Sequence, residues 1–370
     1  MNTSSFKDLL ARRHLAWLGF FFILALLSTG WVTFQFKKEI IDNLKLGTQI
    51  YELEINDELI LFDRKNIGKP FKIHGLVGIR TQEISTAFVP SRGHAEKMYW
   101  EDAPINKGYP ASFDISLSLP AEDHIFYMES RRGKSERLKN PILFKPGLVF
   151  IVAGQSNGAG FSKHLFFSQT NKVYFGSINT KEISWRPGND PAVIHGGGSV
   201  WPLIGDALYN EYDLSIGIIN VAVGGTQVEQ WQKGTQHYEN LVNALRLTRN
   251  SGISAVLWHQ GESDHSLSTS NYFNQLNKLI ETSRNDTNLS DVPWIVSTAS
   301  LNEVGISEGI RAAQLKTIDI SKHIYQGPDT DLVTVEFRDP THYTHFSREG
   351  TIQAADLWIK SIQDFMIQSQ

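Results

Sequence analysis

The stretch LVFIVAGQSNGAG, residues 148–160, decides how this chain is read. Residues 148–153 are all apolar and run into a tight, glycine-flanked turn that carries one serine. An unbroken apolar run of that length, rich in Val, Ile and Phe, suits a strand buried on both faces of a parallel sheet. Gly154 and Gly158 let the backbone bend sharply after it, which puts Ser156 at the strand's carboxyl end, beside the start of a helix. Open α/β sheets place their ligands there. Backbone N–H groups converge at such a turn and favour developing negative charge. Taken alone, the serine also fits an ordinary strand-to-helix loop; the rest of the chain separates the two readings.

Strand-like runs recur at 216–223 (IGIINVAV), 254–259 (SAVLWH) and 292–297, with helical patterns between them. Residues 271–283 set Phe273, Leu276 and Ile280 on one face. Residues 348–366 do the same with Ile352, Ala355, Ile359, Ile362 and Met366, and Ser347 stands as their N-cap. Strands alternating with helices predict an α/β domain over 147–370, its parallel sheet covered on both faces. Upstream, YELEINDELILF, FKIHGLVGI and FDISLSL alternate apolar and polar residues. The pattern predicts a small β-rich domain, which with a short charged linker occupies 37–146.

Four segments fall just after predicted strands or in the last loop: Gly154-Gln155-Ser156-Asn157, Asn220 to Thr226 with its Gly224-Gly225 pair, WHQGESD at 258–264, and DPTHYTHFS at 339–347. Acyl transfer accounts for this set. A serine hydroxyl needs a neighbouring base near neutral pH, and a histidine has the right proton affinity. A carboxylate then orients the imidazole, and preorganised donors meet the oxyanion. The N–H of Ser156, an N–H of the Gly224-Gly225 turn and the side-chain amide of Gln260 are the candidate donors. This chemistry calls for no metal or cofactor.

GQSN, NVAVGGT, WHQGESD and HFSREG, in that order, resemble the sialate O-acetylesterase-like, carbohydrate acetylesterase branch of the SGNH hydrolases over residues 147–365. The resemblance implies a flavodoxin-like three-layer α/β/α fold and metal-independent removal of acetyl groups from sugar hydroxyls. It also implies Ser156 as nucleophile, with Gly224 or Gly225 and Gln260 in the oxyanion hole. Family members end in Asp-x-x-His, the histidine followed by Phe-Ser and by a glycine five positions on. Here the two halves part: Asp339-x-x-His342 satisfies one, and His345-Phe-Ser with Gly350 the other. His345 is the expected base for its spacing to the final helix, with Asp339 as orienting acid and His342 as the alternative base. Gln155, Asn157, Glu262 and Asp264 are candidates for substrate contacts or for support of the site. The substrate class expected is an O-acetylated sugar, sialic acid or a polysaccharide.

The 370-residue chain has a net charge of −4, and nothing in it suggests a nucleic-acid partner. It has no cysteine, which excludes disulfides and thiol nucleophiles. Residues 15–36 carry no formal charge. As a helix they would reach about 33 Å, enough to cross a bilayer's hydrocarbon core. We therefore expect a cytoplasmic tail (1–14), a transmembrane anchor (15–36) and an extracytoplasmic catalytic domain, periplasmic in a Gram-negative cell. A cleaved signal peptide competes with the anchor. Without residues 1–36 the chain holds 32 basic and 38 acidic residues.

Three other readings compete. Gly154-x-Ser156-x-Gly158 also fits the nucleophile elbow of α/β-hydrolases, and residues 195–198 copy their oxyanion tetrapeptide, but that loop precedes the nucleophile in such enzymes. His259, Asp264, His265, His342 and His345 can be imagined as metal ligands. A membrane-tethered carbohydrate-binding protein without catalysis is the third. Trp185, Trp201 and Trp231 are compatible with sugar stacking at the mouth of the site or with burial in the core.

Overall fold

A computed structural model describes residues 50–53, 59–78, 80–91, 101–108, 111–132, 134–137, 141–194 and 196–369. Among the described residues no helix is long and apolar enough to cross a membrane; residues 15–36, expected as an anchor, lie outside them.

Ten strands come first: β1 (Ile50–Leu53), β2 (Leu59–Asp63), β3 (Pro70–Val77), β4 (Glu83–Pro90), β5 (Glu101–Ala103), β6 (Ile105–Asn106), β7 (Ala111–Ser118), β8 (His124–Arg132), β9 (Lys134–Arg137) and β10 (Ile142–Gly154). One antiparallel sheet has the order β1-β3-β7-β6. The alternation seen in FKIHGLV is realised in β3, where Phe71, Ile73 and Val77 point inward. They meet Phe113 and Ile115 of β7 and Phe126, Met128 and Phe144 from the facing strands. Phe144 sits edge-on to both Phe71 (5.6 Å) and Phe88 (5.2 Å), a geometry favoured by the ring quadrupoles.

β10 is 13 residues long and belongs to both halves of the molecule. Residues 142–144 pair antiparallel with β8, and 143–147 pair in parallel with β2. From Gly147 onward the same strand runs parallel to β13 (Ser215–Asn220), and from Phe150 to β14 (Ala255–His259) as well. The run 148–153 is buried on both faces, as its composition predicts.

After β10 come helix α1 (Ser156–Ala159), β11 (Val173–Ile178), β12 (Ile183–Pro187), α2 (Trp201–Tyr212), β13, α3 (Gln236–Leu247), β14, α4 (Thr269–Thr287), β15 (Trp294–Thr298), α5 (Glu308–Thr317), β16 (Ile324–Asp329) and α6 (Arg348–Gln368). The order β13-β10-β14-β15-β16 is the 2-1-3-4-5 arrangement of flavodoxin-like sheets. β11 adds a parallel strand outside β13, and β12 pairs with it antiparallel. The sheet is therefore mixed, not wholly parallel as expected: β12 joins β11 antiparallel at one edge, and β8 joins the first residues of β10 antiparallel.

Helices α2 and α6 cover one face through Ile204, Leu208, Trp358, Ile362 and Phe365. On the other face, α3, α4 and α5 contribute Leu241, Leu245, Leu276, Leu279 and Ile310. Fully burying a side chain such as Ile362 contributes about 2 kcal/mol. Ser347 caps α6, its side chain accepting from Gly350 N–H. Of the predicted stripe, Ala355, Ile362 and Met366 are fully buried while Ile352 and Ile359 lie at its margin.

Candidate active site

At Gly154 the backbone takes φ 121°, and a Cβ there would lie 2.1 Å from the His259 carbonyl oxygen. Only glycine fits. The chain turns, Gln155 N–H donates to His259 O (2.8 Å), and Ser156 opens α1. Ser156 is 3% exposed, and its hydroxyl makes no hydrogen bond to a described residue. As the first residue of a helix it has an N–H without an intrahelical acceptor. The turn is braced from below: Trp201 Nε1 (2.7 Å) and Asn220 Nδ2 (2.9 Å) both donate to Gly158 O.

Strand β13 delivers Gly224 and Gly225 beside that turn. Val223 N–H donates to Gly154 O (2.9 Å). Gly225 has φ 74°, and a Cβ on Gly224 would come within 2.7 Å of the Phe161 ring. Neither glycine N–H has an acceptor among the described residues. Thr226 Oγ1 donates to Val223 O (2.8 Å) and accepts from Trp231 Nε1 (3.0 Å). Trp201 and Trp231 are fully buried, so these two tryptophans hold the site's turns instead of meeting sugar. Trp185 packs against the core.

The histidine loop, residues 338–347, precedes α6. Its anchor is Arg338, 3% exposed. The guanidinium donates to Val333 O (2.7 Å), Thr344 O (2.6 Å) and Thr330 O (2.6 Å) and lies 4.8 Å from the Phe346 ring centre. A buried cation satisfied by carbonyls in this way fixes the loop's backbone. His345 is half-buried, its ring 5.4 Å from that of Phe161. Burial lowers its proton affinity, the Asp339 carboxylate opposes this, and His342 and Arg338 add to the lowering. His342 is exposed, with Nδ1 3.5 Å from Glu303 Oε2.

Asp339 touches His345 through the backbone: its N–H donates to His345 O (2.7 Å). Its carboxylate instead accepts from Lys163 Nζ (2.8 Å) and Thr341 N–H (2.8 Å), bonds that hold it well below the usual carboxylate range. Among the described residues no carboxylate hydrogen-bonds to the His345 ring.

Asn157 joins these elements. Its Nδ2 donates to Glu262 Oε1 (2.8 Å), in the turn after β14, and to Thr344 O (3.0 Å), next to His345. Both amide hydrogens are thereby used to tie the serine turn to the histidine loop. Burial raises the pKa of Glu262 and leaves its Oε2 without a partner among the described residues. Glu262 Oε1 is 3.7 Å from His259 Nε2. That contact is not an ion pair, since burial pushes both groups toward neutrality.

His259, fully buried, is pushed down to about 3 by burial. The unfolded chain binds a proton near pH 6.5 that the folded state refuses, so this residue's stabilising contribution is whole above that pH and is lost as pH falls toward 3. Between pH 6.5 and 5 the loss amounts to roughly 2 kcal/mol. His259→Gln should flatten the acid side of the stability curve by that amount. Urea unfolding of both proteins at the two pH values measures it, and an unchanged slope would refute the assignment.

An open cavity of about 620 Å³ brings together Gln155, Ser156, Gly224, Gly225, Glu262, His342 and His345, roofed by Phe161. Ser156 and His345 face it without a direct hydrogen bond between them; such contacts commonly tighten when substrate binds. The cavity walls do not include Gln260, Asp264, Asn157 or Asp339. Gln260 is fully buried, its Nε2 within reach of Asp264 Oδ2 (2.6 Å), Thr226 O (3.1 Å) and Gln155 Oε1 (3.2 Å). Asp264 also accepts from Val228 N–H (2.8 Å) and belongs to the turn's scaffold. Gly197 N–H of the glycine-rich loop donates to Gly160 O (2.7 Å); residue 195 lies outside the described residues. Among the described residues no three His, Asp or Glu side chains gather as metal ligands. Two residues that sequence reasoning passed over are Phe161, which adjoins the GQSN turn, and Arg338, which reads as an ordinary loop cation.

The sequence model of a family described as carbohydrate esterase, sialic acid-specific acetylesterase, matches residues 146–361. A probable carbohydrate esterase of Arabidopsis thaliana is 29% identical over 209 residues, 48% of this chain and 77% of that protein. The X-ray structure of that Arabidopsis protein superposes with a TM-score of 0.50 at 23% identity, over 60% of this chain and 98% of its own. A carbohydrate acetylesterase from Xanthomonas citri superposes with a TM-score of 0.55 at 15% identity, over 84% of this chain and 73% of its own. These two likenesses are likenesses of fold.

Proposed function

This chain belongs to the sialic acid-specific acetylesterase family of carbohydrate esterases, and from that premise we propose that it deacetylates a neutral sugar through an acyl-enzyme on Ser156. One observation carries the reading: a serine whose hydroxyl bonds to no described residue, an imidazole and three backbone N–H groups without acceptors among the described residues meet at a single cavity. Ser156 Oγ attacks the acetyl carbonyl carbon while His345 takes the hydroxyl proton. The oxyanion is met by the N–H groups of Ser156 and the Gly224-Gly225 turn. As the tetrahedral intermediate collapses, the sugar oxygen leaves with the proton from His345. Water, deprotonated by His345, then releases acetate and restores Ser156. Asp339 acts on His345 through its field, supporting the imidazolium without touching the ring.

The preference for a neutral sugar comes from the walls. Among the described residues, the ionisable side chains lining the cavity are Glu262, Glu303, His342 and His345. A sialic acid carboxylate would meet the exposed Glu303 carboxylate with no lysine or arginine beside it among the described lining residues; like charges disfavour that approach. Acetate release should therefore be at least about tenfold faster in kcat/KM from an acetylated neutral oligosaccharide than from a 9-O-acetylated sialoside. The reverse order would overturn the neutral-sugar reading. Failure of a fluorophosphonate to label Ser156 would overturn the acyl-enzyme.

A further inference from the structure

We propose that the side-chain amide of Gln155 is the third donor to the oxyanion, and that Gln260 acts as a positioning residue holding it in place. The inference rests on the acyl-enzyme reading above.

Gln155 is 2% exposed and lines the cavity next to Ser156. Its Oε1 accepts from Ser263 N–H (3.1 Å), Gly261 N–H (3.3 Å) and Gln260 Nε2 (3.2 Å). Three donors on one oxygen determine which way the amide faces. Reversing it would set an NH₂ group against two backbone N–H groups and a second NH₂. Nε2 is thus the atom left over, and it has no acceptor among the described residues. Nε2 is not among the enclosed side-chain atoms that lack a partner, so it faces open space and not packed protein. Here it borders the cavity that holds the nucleophile, where the transition state supplies an acceptor.

Gln260 is excluded from that task by its own bonds. Its amide hydrogens are committed to Asp264, Thr226 and Gln155, and its Oε1 accepts from Tyr272 O–H (2.8 Å). Tyr272 O–H is also 2.8 Å from Gln260 O. With Asp264 in turn held by Val228 N–H, the chain Asp264–Gln260–Gln155 runs from scaffold to cavity. Each amide in it has one orientation.

Gln155→Glu provides the test. The carboxylate keeps an oxygen for the three N–H groups but replaces the free donor with an acceptor. Loss of one oxyanion donor lowers kcat by about 10²–10³-fold. We expect that loss with KM within threefold and a melting temperature near that of the parent protein. Methylboronic acid, whose tetrahedral adduct with Ser156 mimics the intermediate, should bind more weakly by a comparable factor. Wild-type kcat and boronate affinity in Gln155→Glu would overturn the proposal. Should that variant melt early, Gln155→Met decides: unchanged boronate affinity in its folded fraction overturns the proposal, and parallel losses of kcat and boronate affinity support it. Retained turnover in Ser156→Ala, by contrast, would bring down the acyl-enzyme reading itself.

Discussion

Ser156→Ala is expected to lose on the order of 10⁴-fold or more in kcat for p-nitrophenyl acetate and for acetylated glycans, with the melting temperature within a degree or two of the parent. The stability half follows from how the turn is built. The hydroxyl bonds to no described residue, so its removal leaves no partner stranded. The turn is held by Gln155 N–H on His259 O, by Trp201 and Asn220 on Gly158 O, and by Asn157 on Glu262 and Thr344. The activity half follows from chemistry: Ser156 is the hydroxyl at the start of α1, and it lines the cavity together with Gly224, Gly225 and His345. Thermal melts and acetate assays on the same preparation check both. Turnover above one part in a hundred would remove Ser156 from the mechanism.

His345→Ala should fall by a similar order, about 10⁴-fold in kcat, whereas His342→Ala should stay within about fivefold. Both imidazoles border the cavity, but their surroundings differ. His345 is half-buried under Phe161, on a loop fixed by Arg338 and Asn157. His342 stands in solvent beside Glu303. Inactivity of the His342 variant alone would exchange the two roles. The pH profile adds a signed check. A general base works in its neutral form, so kcat/KM rises with pH through the pKa of His345. Burial lowers that pKa, which places the acid limb below the ordinary histidine value of about 6.5. Asp339 raises it against burial, so Asp339→Asn should move the limb further toward acid. A shift toward neutral pH would contradict the proposed field effect.

Much of this was legible in the residues because the physics involved is local. A run such as 148–153 has too much apolar surface for anything but a buried strand, and a serine between glycines at its end has few conformations open to it. The same holds for the strand that ends at His259 and for the cap at Ser347. Other features depend on neighbours that no local pattern announces. Gln260 follows a strand in a motif rich in polar residues, yet its amide is consumed by Asp264 and Thr226, which come from different loops. Arg338 reads as a solvated cation until the loop folds back on it and brings the carbonyls of Thr330, Val333 and Thr344 around its guanidinium. The strand β10 reads as starting after Pro146, but it reaches back to Ile142 because β2 and β8 offer it new partners. Hairpin β11–β12 is short, and Gly176 and Ser177 interrupt the apolar run of its first strand.

That shared strand limits how the protein can be taken apart or bent. A ribbon hydrogen-bonded along its whole length to β2, β8, β13 and β14 leaves no hinge between the β-rich first part and the catalytic layer. A chain begun at residue 147 would lose the part of β10 that pairs with β2 and β8, and with β2 it would lose Leu61, which packs among Val149, Ile151 and Ile219. The β-rich first part therefore behaves as the catalytic layer's own footing, and removing it should cost solubility before it costs chemistry.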